Sequence, residues 1–165
     1  MSTETRVSLW ARPSGVLRLA FKLPIALYRL RLGWMLGHRF LQVTHRGRRS
    51  GHVYRTVLEV VRYDRAARES VVVAGFANAD WLRNIQATPA LKVRTGTDRY
   101  APAQRFLEAD ERFAVLARFQ HEHPWEAPIM LRLFGLRPAT DWREREEQWR
   151  ALAEALPMVA FRPKG

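Results

Sequence analysis

The spacing of apolar residues changes several times along the chain, and each spacing predicts a different element. Alternation of apolar and polar positions, rich in Val and Thr, is typical of half-buried strands, and short apolar runs are typical of fully buried ones. A Thr-Gly-Thr-Asp segment separates two of these runs and predicts a tight turn. Strands are therefore expected at 39–46, 53–63, 70–75, 90–94, 99–107 and 158–161.

Helical spacing occupies the gaps between the predicted strands. A short helix is expected to begin at a cap supplied by Asn78 or Asp80 and to end before Pro89. Two more are predicted from Asp110 to about 121 and over 127–135. A last helix is expected to be capped by Thr140 and to turn Trp142, Trp149, Leu152 and Leu156 inward. The mixture of strands and flanking helices predicts an α+β fold built on a small β-barrel.

The N-terminal segment has a different pattern. Residues 16–36 are largely apolar, but Arg18, Lys22, Arg29 and Arg31 interrupt them, so no run approaches the ~20 residues of a membrane span. Charges inside the apolar stretch also argue against a secretory signal. Helical spacing places cations on one face and leucines on the other, with a bend expected at Pro24. The helix either lies on an anionic membrane, covers a lipophilic channel or packs on the barrel.

These patterns divide the chain without a linker, repeat or low-complexity tract. Residues 1–38 form the N-terminal amphipathic segment, and residues 39–165 form the barrel of a single domain. A chain of 165 residues is long enough to bury a substantial core. Cysteine is absent, which excludes disulfides and thiolate metal sites and permits a cytoplasmic location. The histidines are scattered, so no metal site is expected.

The segment between the first two predicted strands carries the most chemical information. It reads Thr44-His-Arg-Gly-Arg-Arg-Ser-Gly-His-Val53 and predicts a hairpin turn with Arg48, Arg49 and Ser50 beside two glycines. Glycines let backbone N–H groups approach a ligand, and guanidinium groups grip phosphate or carboxylate oxygens. The turn therefore indicates a phosphorylated ligand.

The net charge agrees with an anionic partner. Lys and Arg number 28 against 16 acids, giving a formal charge of +12. Cofactor phosphates, acidic lipid and nucleic acid all remain candidates on charge alone. Nucleic acid is the least favoured, because the arginines are spread along the chain instead of clustering with stacking residues. No dinucleotide-binding, Walker or zinc-protease motif is present.

The order and spacing of several motifs resemble the deazaflavin-dependent nitroreductase family. The resemblance is carried by the Gly-Arg-Arg-Ser-Gly turn, the strand Arg55-Thr-Val-Leu-Glu59, the run Val-Val-Val-Ala-Gly75, and Trp81-x-x-Asn84-x-x-Ala-x-Pro89. It is close over residues 25–110 and looser at the C-terminal strand. It implies a split β-barrel of the FMN-binding type, with about six antiparallel strands, and the 8-hydroxy-5-deazaflavin coenzyme F(420).

The resemblance also implies a coenzyme site. The coenzyme is a polyanion, and the turn corresponds to the family's phosphate grip. The run ending at Gly75 corresponds to the loop against the ring, and the start of the next helix completes the cleft. The cofactor-binding residues expected on this basis are Arg48, Arg49, Ser50, Tyr54, Arg55, Thr56, Val57, Glu59, Val73, Ala74, Gly75, Phe76, Asp80, Trp81, Arg83 and Asn84. No general acid or base is assigned, because hydride transfer is the cofactor's own reaction.

The chain departs from the family in ways that affect the substrate. Many members have Pro-Arg at the position of Val53-Tyr54, and Lys or Gly at Phe76. Nitro-reducing members place tyrosines near the C-terminus, and the corresponding stretch 119–125 has none. Four apolar residues nearby, Phe119, Trp125, Met130 and Phe134, form either an apolar lid over the substrate or an ordinary part of the core. The lid is the interpretation with a functional consequence. It suits a small hydrophobic acceptor of the quinone, enone or nitro type.

Alternative functions follow from the same features. A split barrel can bind FMN, haem or the deazaflavin without catalysing a reaction, since fold does not determine function. A basic module on the inner face of the membrane is a weaker alternative. The favoured prediction is a deazaflavin-dependent oxidoreductase that is monomeric or homodimeric.

Overall fold

The strands form one antiparallel sheet that curls into a nearly closed barrel. The computed structural model describes residues 37–75 and 78–165. Within them the strands are β1 Phe40–Arg46, β2 Val53–Asp64, β3 Glu69–Val73, β4 Lys92–Thr95, β5 Asp98–Tyr100, β6 Pro102–Phe106 and β7 Met158–Pro163. Their spatial order is β5-β4-β1-β2-β3-β7-β6. The two edge strands, β5 and β6, are consecutive in sequence and only Ala101 separates them. The sheet must therefore bend round until its edges meet, which is the split-barrel architecture.

Four helices accompany the strands of the described residues. They are α1 Asp80–Ala87, α2 Ala109–Glu122, α3 Ala127–Leu133 and α4 Trp142–Ala155. Helix α1 connects β3 to β4, and the other three lie in the connection from β6 to β7. The predicted α+β class is confirmed, and the helices begin and end close to where the sequence places them.

Strand alternation produces two separate cores. An inner core gathers one face of the sheet with α1, and it includes Leu41, Val43, Val72, Trp81, Leu82, Ile85, Val159 and Phe161. An outer core packs the other face against α2, α3 and α4, and it includes Val71, Leu116, Phe119, Leu131, Trp149, Leu152, Met158 and Ala160. Neighbouring residues of β7 alternate between the two cores, as the period of two in a strand requires.

Several local predictions are wrong. The single strand expected at 99–107 is two strands, because the chain breaks at Ala101 before Pro102, which has no N–H for the ladder. Helix α4 is capped by Asp141, whose carboxylate accepts from the Glu144 N–H at 3.4 Å, and not by Thr140. Helix α1 follows Ala79 and has no side-chain cap. Trp142 points outward with 63% of its surface exposed, whereas Trp149 is buried as predicted.

The predictions made for the N-terminal segment and for Phe76 lie outside the described residues. Across 37–75 and 78–165, no helix combines the length and apolar character that crossing a bilayer requires.

Candidate functional site

The loop joining β1 to β2 is a compact turn that needs both of its glycines. The Gly47 N–H donates to the His52 carbonyl at 2.8 Å, and the Gly51 N–H donates to the Gly47 carbonyl at 2.8 Å. Gly51 has φ +70°, and a Cβ there would have no atom within 4 Å. A Cβ at Gly47 would meet Ser50 Oγ at 2.6 Å. One glycine therefore permits the left-handed turn and leaves open space, while the other permits close packing.

Arg48 fastens this loop to helix α1. Its backbone N–H donates to Asn84 Oδ1 at 3.0 Å, and its Nη1 donates to the same oxygen at 3.1 Å. The same Nη1 also pairs with Asp80 Oδ1 at 3.0 Å. Arg48, Asp80 and Asn84 are all predicted site residues, and they come together although the loop and the helix are over 30 positions apart in the sequence. In this structure Arg48 connects the loop to the helix, in addition to any role toward a ligand.

A buried histidine extends this contact into the barrel. Asn84 Nδ2 lies 3.2 Å from His45 Nδ1, and His45 Nε2 lies 3.0 Å from Thr56 Oγ1. Because Asn84 Oδ1 already accepts from Arg48, its Nδ2 donates to His45 Nδ1, and the ring donates from Nε2 to Thr56. Burial lowers the pKa of His45 and favours this neutral form. Sequence reasoning missed His45, although it alternates with Leu41 and Val43 on the inward face of β1. We call Arg48, Asn84, His45 and Thr56 the loop clip.

The outer side of the loop remains available to a ligand. Arg49 is exposed, and no hydrogen bond or ion pair joins it to another described residue. Ser50 Oγ lies 3.1 Å from Tyr54 Oη and accepts from the His52 N–H at 3.3 Å. A cation and two hydroxyls therefore face solvent at the turn. Other predicted cofactor residues are elsewhere: Ala74 and Trp81 are buried in the inner core, and Arg83 bonds Asn78 Oδ1 at 2.7 Å.

A cavity of about 600 Å³ lies between β1–β2, the end of β3, and helices α2 and α3. Its walls are largely apolar, and a Cβ at Gly75 would meet no atom within 4 Å. Seven predicted site and lid residues line it: Val57, Glu59, Val73, Gly75, Phe119, Met130 and Phe134. Trp125, also predicted in the lid, is not among the lining residues and is 87% exposed. Trp125 lies in the turn between α2 and α3, so the structure does not bring it to the cavity with the other three lid residues.

Charged side chains form one part of the cavity wall. Arg39 Nη2 donates to Glu126 Oε2 at 2.7 Å and lies 3.5 Å from Glu59 Oε1. His123 Nδ1 lies 3.6 Å from Glu126 Oε1. Partial burial raises the pKa of Glu59, against the opposing effect of the Arg39 charge. We call Arg39, Glu59 and Glu126 the cavity cluster. Sequence reasoning found only Glu59, since the three residues come from different elements.

A continuous face of the sheet joins the loop to the cavity. Alternate residues of β2 from Val53 through Val57 to Glu59 share one side, and Phe40 pairs with Glu59 at the cavity end. Strand register places four cationic side chains on this side: Arg46, Arg55, Lys92 and Arg94. Six residue steps along β1, at ~3.4 Å each, separate Arg46 from Phe40 by about 20 Å. An elongated anionic ligand with an apolar end would match this face.

Comparison with known proteins gives the family. The model of the F420H(2)-dependent quinone reductase family matches residues 25–126, more than half of the chain. The chain belongs to this family. Its function is therefore that of a deazaflavin-dependent oxidoreductase using coenzyme F(420), and the predicted resemblance is confirmed. The quinone reductase family is named for quinone-type substrates.

Similar solved structures are distant in sequence. An F420-H2-dependent reductase, FDR-A, is 16% identical with a TM-score of 0.47, covering 76% of this chain and 95% of its own. A protein solved as a domain-swapped dimer is 16% identical with a TM-score of 0.49, covering 84% and 98% respectively. Campylobacter jejuni ChuZ is 12% identical with a TM-score of 0.46, covering 92% and 55%. No protein of curated function matches the sequence.

The residues of this quinone reductase family member fit a deazaflavin coenzyme. Arg49 has no partner among the described residues and projects from the loop, where a phosphate would find a guanidinium donor. Space is open at Gly51 in the loop and at Gly75 in the cavity. The basic end of the site thus suits an acidic tail, and the apolar end suits a ring.

Proposed function

We propose that the protein delivers a hydride from the reduced coenzyme to a quinone-type acceptor in the cavity between β2 and helices α2 and α3. The observation that carries this proposal is the single face of β1–β2, basic at the hairpin loop and apolar at the cavity. When bound, the coenzyme supplies the hydride, and the protein supplies binding, orientation and exclusion of water.

The hairpin loop is the proposed site for the acidic tail. Arg49 and Ser50 offer donors to a phosphate, and Arg48 adds a second guanidinium whose Nη1 is engaged by the helix. Arg55 continues the positive charge along β2. Charge-assisted hydrogen bonds of this kind are each worth about 1.5–3 kcal/mol, and solvent at the exposed turn reduces that value. Tight binding of the polyanionic coenzyme and weak binding of neutral analogues are expected.

The two ends of the cavity have different proposed occupants. The ring is placed against Val57, Val73 and Gly75, where the open glycine permits close approach. The acceptor is placed toward the predicted lid residues Phe119, Met130 and Phe134. These side chains are apolar, which favours a lipophilic quinone over a charged acceptor.

The test is turnover by the purified full-length chain. Reduced coenzyme F(420) is mixed with 2-methyl-1,4-naphthoquinone, an enone or a nitroimidazole, and the return of deazaflavin absorbance is followed. We expect the naphthoquinone to be reduced fastest. Absence of turnover above the enzyme-free rate with every acceptor would overturn the proposal. Tight binding of FMN without binding of the deazaflavin would favour a cofactor-binding protein instead.

Two lid variants locate the acceptor. Met130→Ala removes a side chain from the cavity wall and should raise KM for the naphthoquinone by about tenfold, as loss of an apolar contact of 1–2 kcal/mol requires. Trp125→Ala is the matched control, because it removes a larger apolar side chain that does not line the cavity. Equal KM values in the two variants would show that the acceptor binds elsewhere.

We also propose a cytoplasmic enzyme whose residues 16–36 contact anionic membranes, where lipophilic quinones partition. The support is the pattern of cations opposite leucines in the sequence. Co-sedimentation of the full-length chain with anionic and neutral vesicles tests it. Salt-sensitive binding to anionic vesicles alone is expected, and the charge-reversed variant Arg18→Glu/Lys22→Glu should lose it. Equal sedimentation of the two proteins would contradict a role for the segment.

A further inference from the structure

The cavity cluster is unbalanced in charge. Two carboxylates, Glu59 and Glu126, share the one guanidinium of Arg39. The rest of the wall is chiefly apolar, including Phe40, Val57, Val61, Val73, Ile129 and Leu133. A carboxylate without full compensation in such surroundings tends to hold a proton. The cluster therefore places two carboxyl groups with incomplete charge compensation beside the space proposed for the acceptor.

The two carboxylates are held differently. Glu126 accepts from Arg39 at 2.7 Å and has the His123 ring 3.6 Å away, so it is held by a short charged hydrogen bond and has a second polar neighbour. Glu59 lies 3.5 Å from Arg39, beyond ordinary hydrogen-bond length for an ion pair. Partial burial raises the pKa of Glu59 and the charge of Glu126 adds to that rise, while Arg39 and His123 oppose it. Glu59 is thus the member better suited to carry a proton.

The position of Glu59 suits a reaction at the cavity. It follows Val57 on the same face of β2, and Val57 lies where the coenzyme ring is proposed. Its side chain is 43% exposed, so the carboxyl can exchange protons with water. A group that contacts both an apolar cavity and solvent can deliver a proton inward and recover one from outside.

We propose that Glu59 donates the proton that completes reduction of the acceptor, and that Arg39 is a positioning residue which holds the Glu59 carboxyl at the cavity. The inference rests on the proposed function. A quinone that accepts a hydride gains two electrons and one hydrogen and becomes the hydroquinone monoanion. The Glu59 O–H bond breaks, its proton forms the second O–H bond of the hydroquinone, and the Glu59 carboxylate takes a proton from water.

The experiment compares single-turnover rates across pH in wild type and Glu59→Gln. Gln keeps the size and removes the exchangeable proton. Wild type should slow as pH rises through the Glu59 pKa. Below that pKa, Glu59→Gln should be about 100-fold slower than wild type, and its rate should not depend on pH over that range. Glu122→Gln is the matched control, an exposed carboxyl that pairs with Arg118 and lines no part of the cavity. It should behave as wild type.

Two further measurements distinguish a failure of the proposed function from a failure of the role assigned to Glu59. A carbon-13 NMR titration of the glutamate carboxyls, without coenzyme, should show one raised pKa that disappears in Glu59→Gln. Coenzyme affinity, measured by fluorescence, should fall much less than the loss of rate of about 100-fold, because Glu59 is proposed to act on the acceptor; an equal loss of affinity would mean that Glu59 only binds the coenzyme. A wild type that reduces no quinone contradicts the proposed function. A wild type that turns over while Glu59→Gln keeps its rate and pH profile contradicts only the role of Glu59.

Arg39→Lys tests the positioning role. Lysine keeps the charge but cannot place a donor where Arg39 Nη2 lies, 2.7 Å from Glu126 and 3.5 Å from Glu59. We expect kcat to fall with little change in KM, together with a shifted pH profile. A rise in KM alone would mean that Arg39 binds the acceptor and does not act through Glu59.

Discussion

Two polar clusters occupy opposite ends of the β1–β2 hairpin, and they are built in opposite ways. In the loop clip, Asn84 and His45 are 4% and 3% exposed, and their side-chain polar atoms all have hydrogen-bond partners. In the cavity cluster, the three side chains are partly exposed and the charges do not cancel. Buried polar groups are costly unless every one is paired, so a deep cluster must be complete and therefore rigid. Incomplete pairing is tolerated where water reaches, and that is where a proton can move.

The largest expected effect comes from breaking the loop clip. Asn84→Ala removes the acceptor for two Arg48 donors and the donor to His45, leaving polar groups unpaired inside the protein. We expect the free energy of unfolding to fall by about 2–4 kcal/mol. Urea denaturation followed by tryptophan fluorescence measures it. A change below ~1 kcal/mol would mean that the clip does not fasten the loop to helix α1.

A second asparagine near the same helix provides the control. Asn78 accepts from Arg83 at 2.7 Å but is exposed. Asn78→Ala should change the free energy of unfolding by no more than about 0.5 kcal/mol, because water replaces the lost partner. The contrast between the two variants isolates burial as the cause.

The next effect separates the two adjacent arginines of the loop. Arg49→Ala should weaken coenzyme binding about tenfold, or 1.4 kcal/mol, and leave stability unchanged, because Arg49 has no partner among the described residues. Arg48→Ala should weaken binding and also destabilise the fold, because it removes the pairs with Asp80 and Asn84. Fluorescence titration at two salt concentrations, with thermal unfolding of each variant, measures both quantities.

Arg65→Ala controls for net charge, since Arg65 is an exposed residue of the β2–β3 turn. If Arg65→Ala and Arg49→Ala weaken binding equally, the loop contributes only to the general positive charge of the protein. That outcome would remove the hairpin from the coenzyme site.

The subtlest effect is the response of the loop clip to acid. Burial lowers the pKa of His45 below its ordinary value of 6.5. The unfolded chain therefore binds this proton at a higher pH than the folded one, and the stability from His45 is present above pH 6.5 and lost as pH falls through the folded pKa. Urea unfolding between pH 7.5 and 5 should show a smaller decline for His45→Gln than for wild type. His121→Gln, an exposed histidine, should decline as wild type does.

The sequence was most informative where a local rule governs the structure. Alternation in β1 and β2, and the glycines at 47 and 51, depend on backbone geometry that neighbouring residues set. Two expectations about tryptophans failed because they depend on which side of an element meets the core. Trp142 and Trp125 are large and apolar, but one begins α4 on its solvent side and the other lies in an exposed turn. Composition alone cannot tell which apolar residue finds a partner.

The sequence by itself determined the strands and helices, the basic hairpin and the family, because these follow from periodicity and from motifs of fixed spacing. Tertiary structure decided how the motifs are used. It brought Arg48 of the β1–β2 loop into contact with Asn84 of helix α1. It also brought Arg39, Glu59 and Glu126 from three elements to one cavity. Such contacts depend on strand register and on the packing of helices against the barrel, and the position of a residue in the chain does not encode either of these locally.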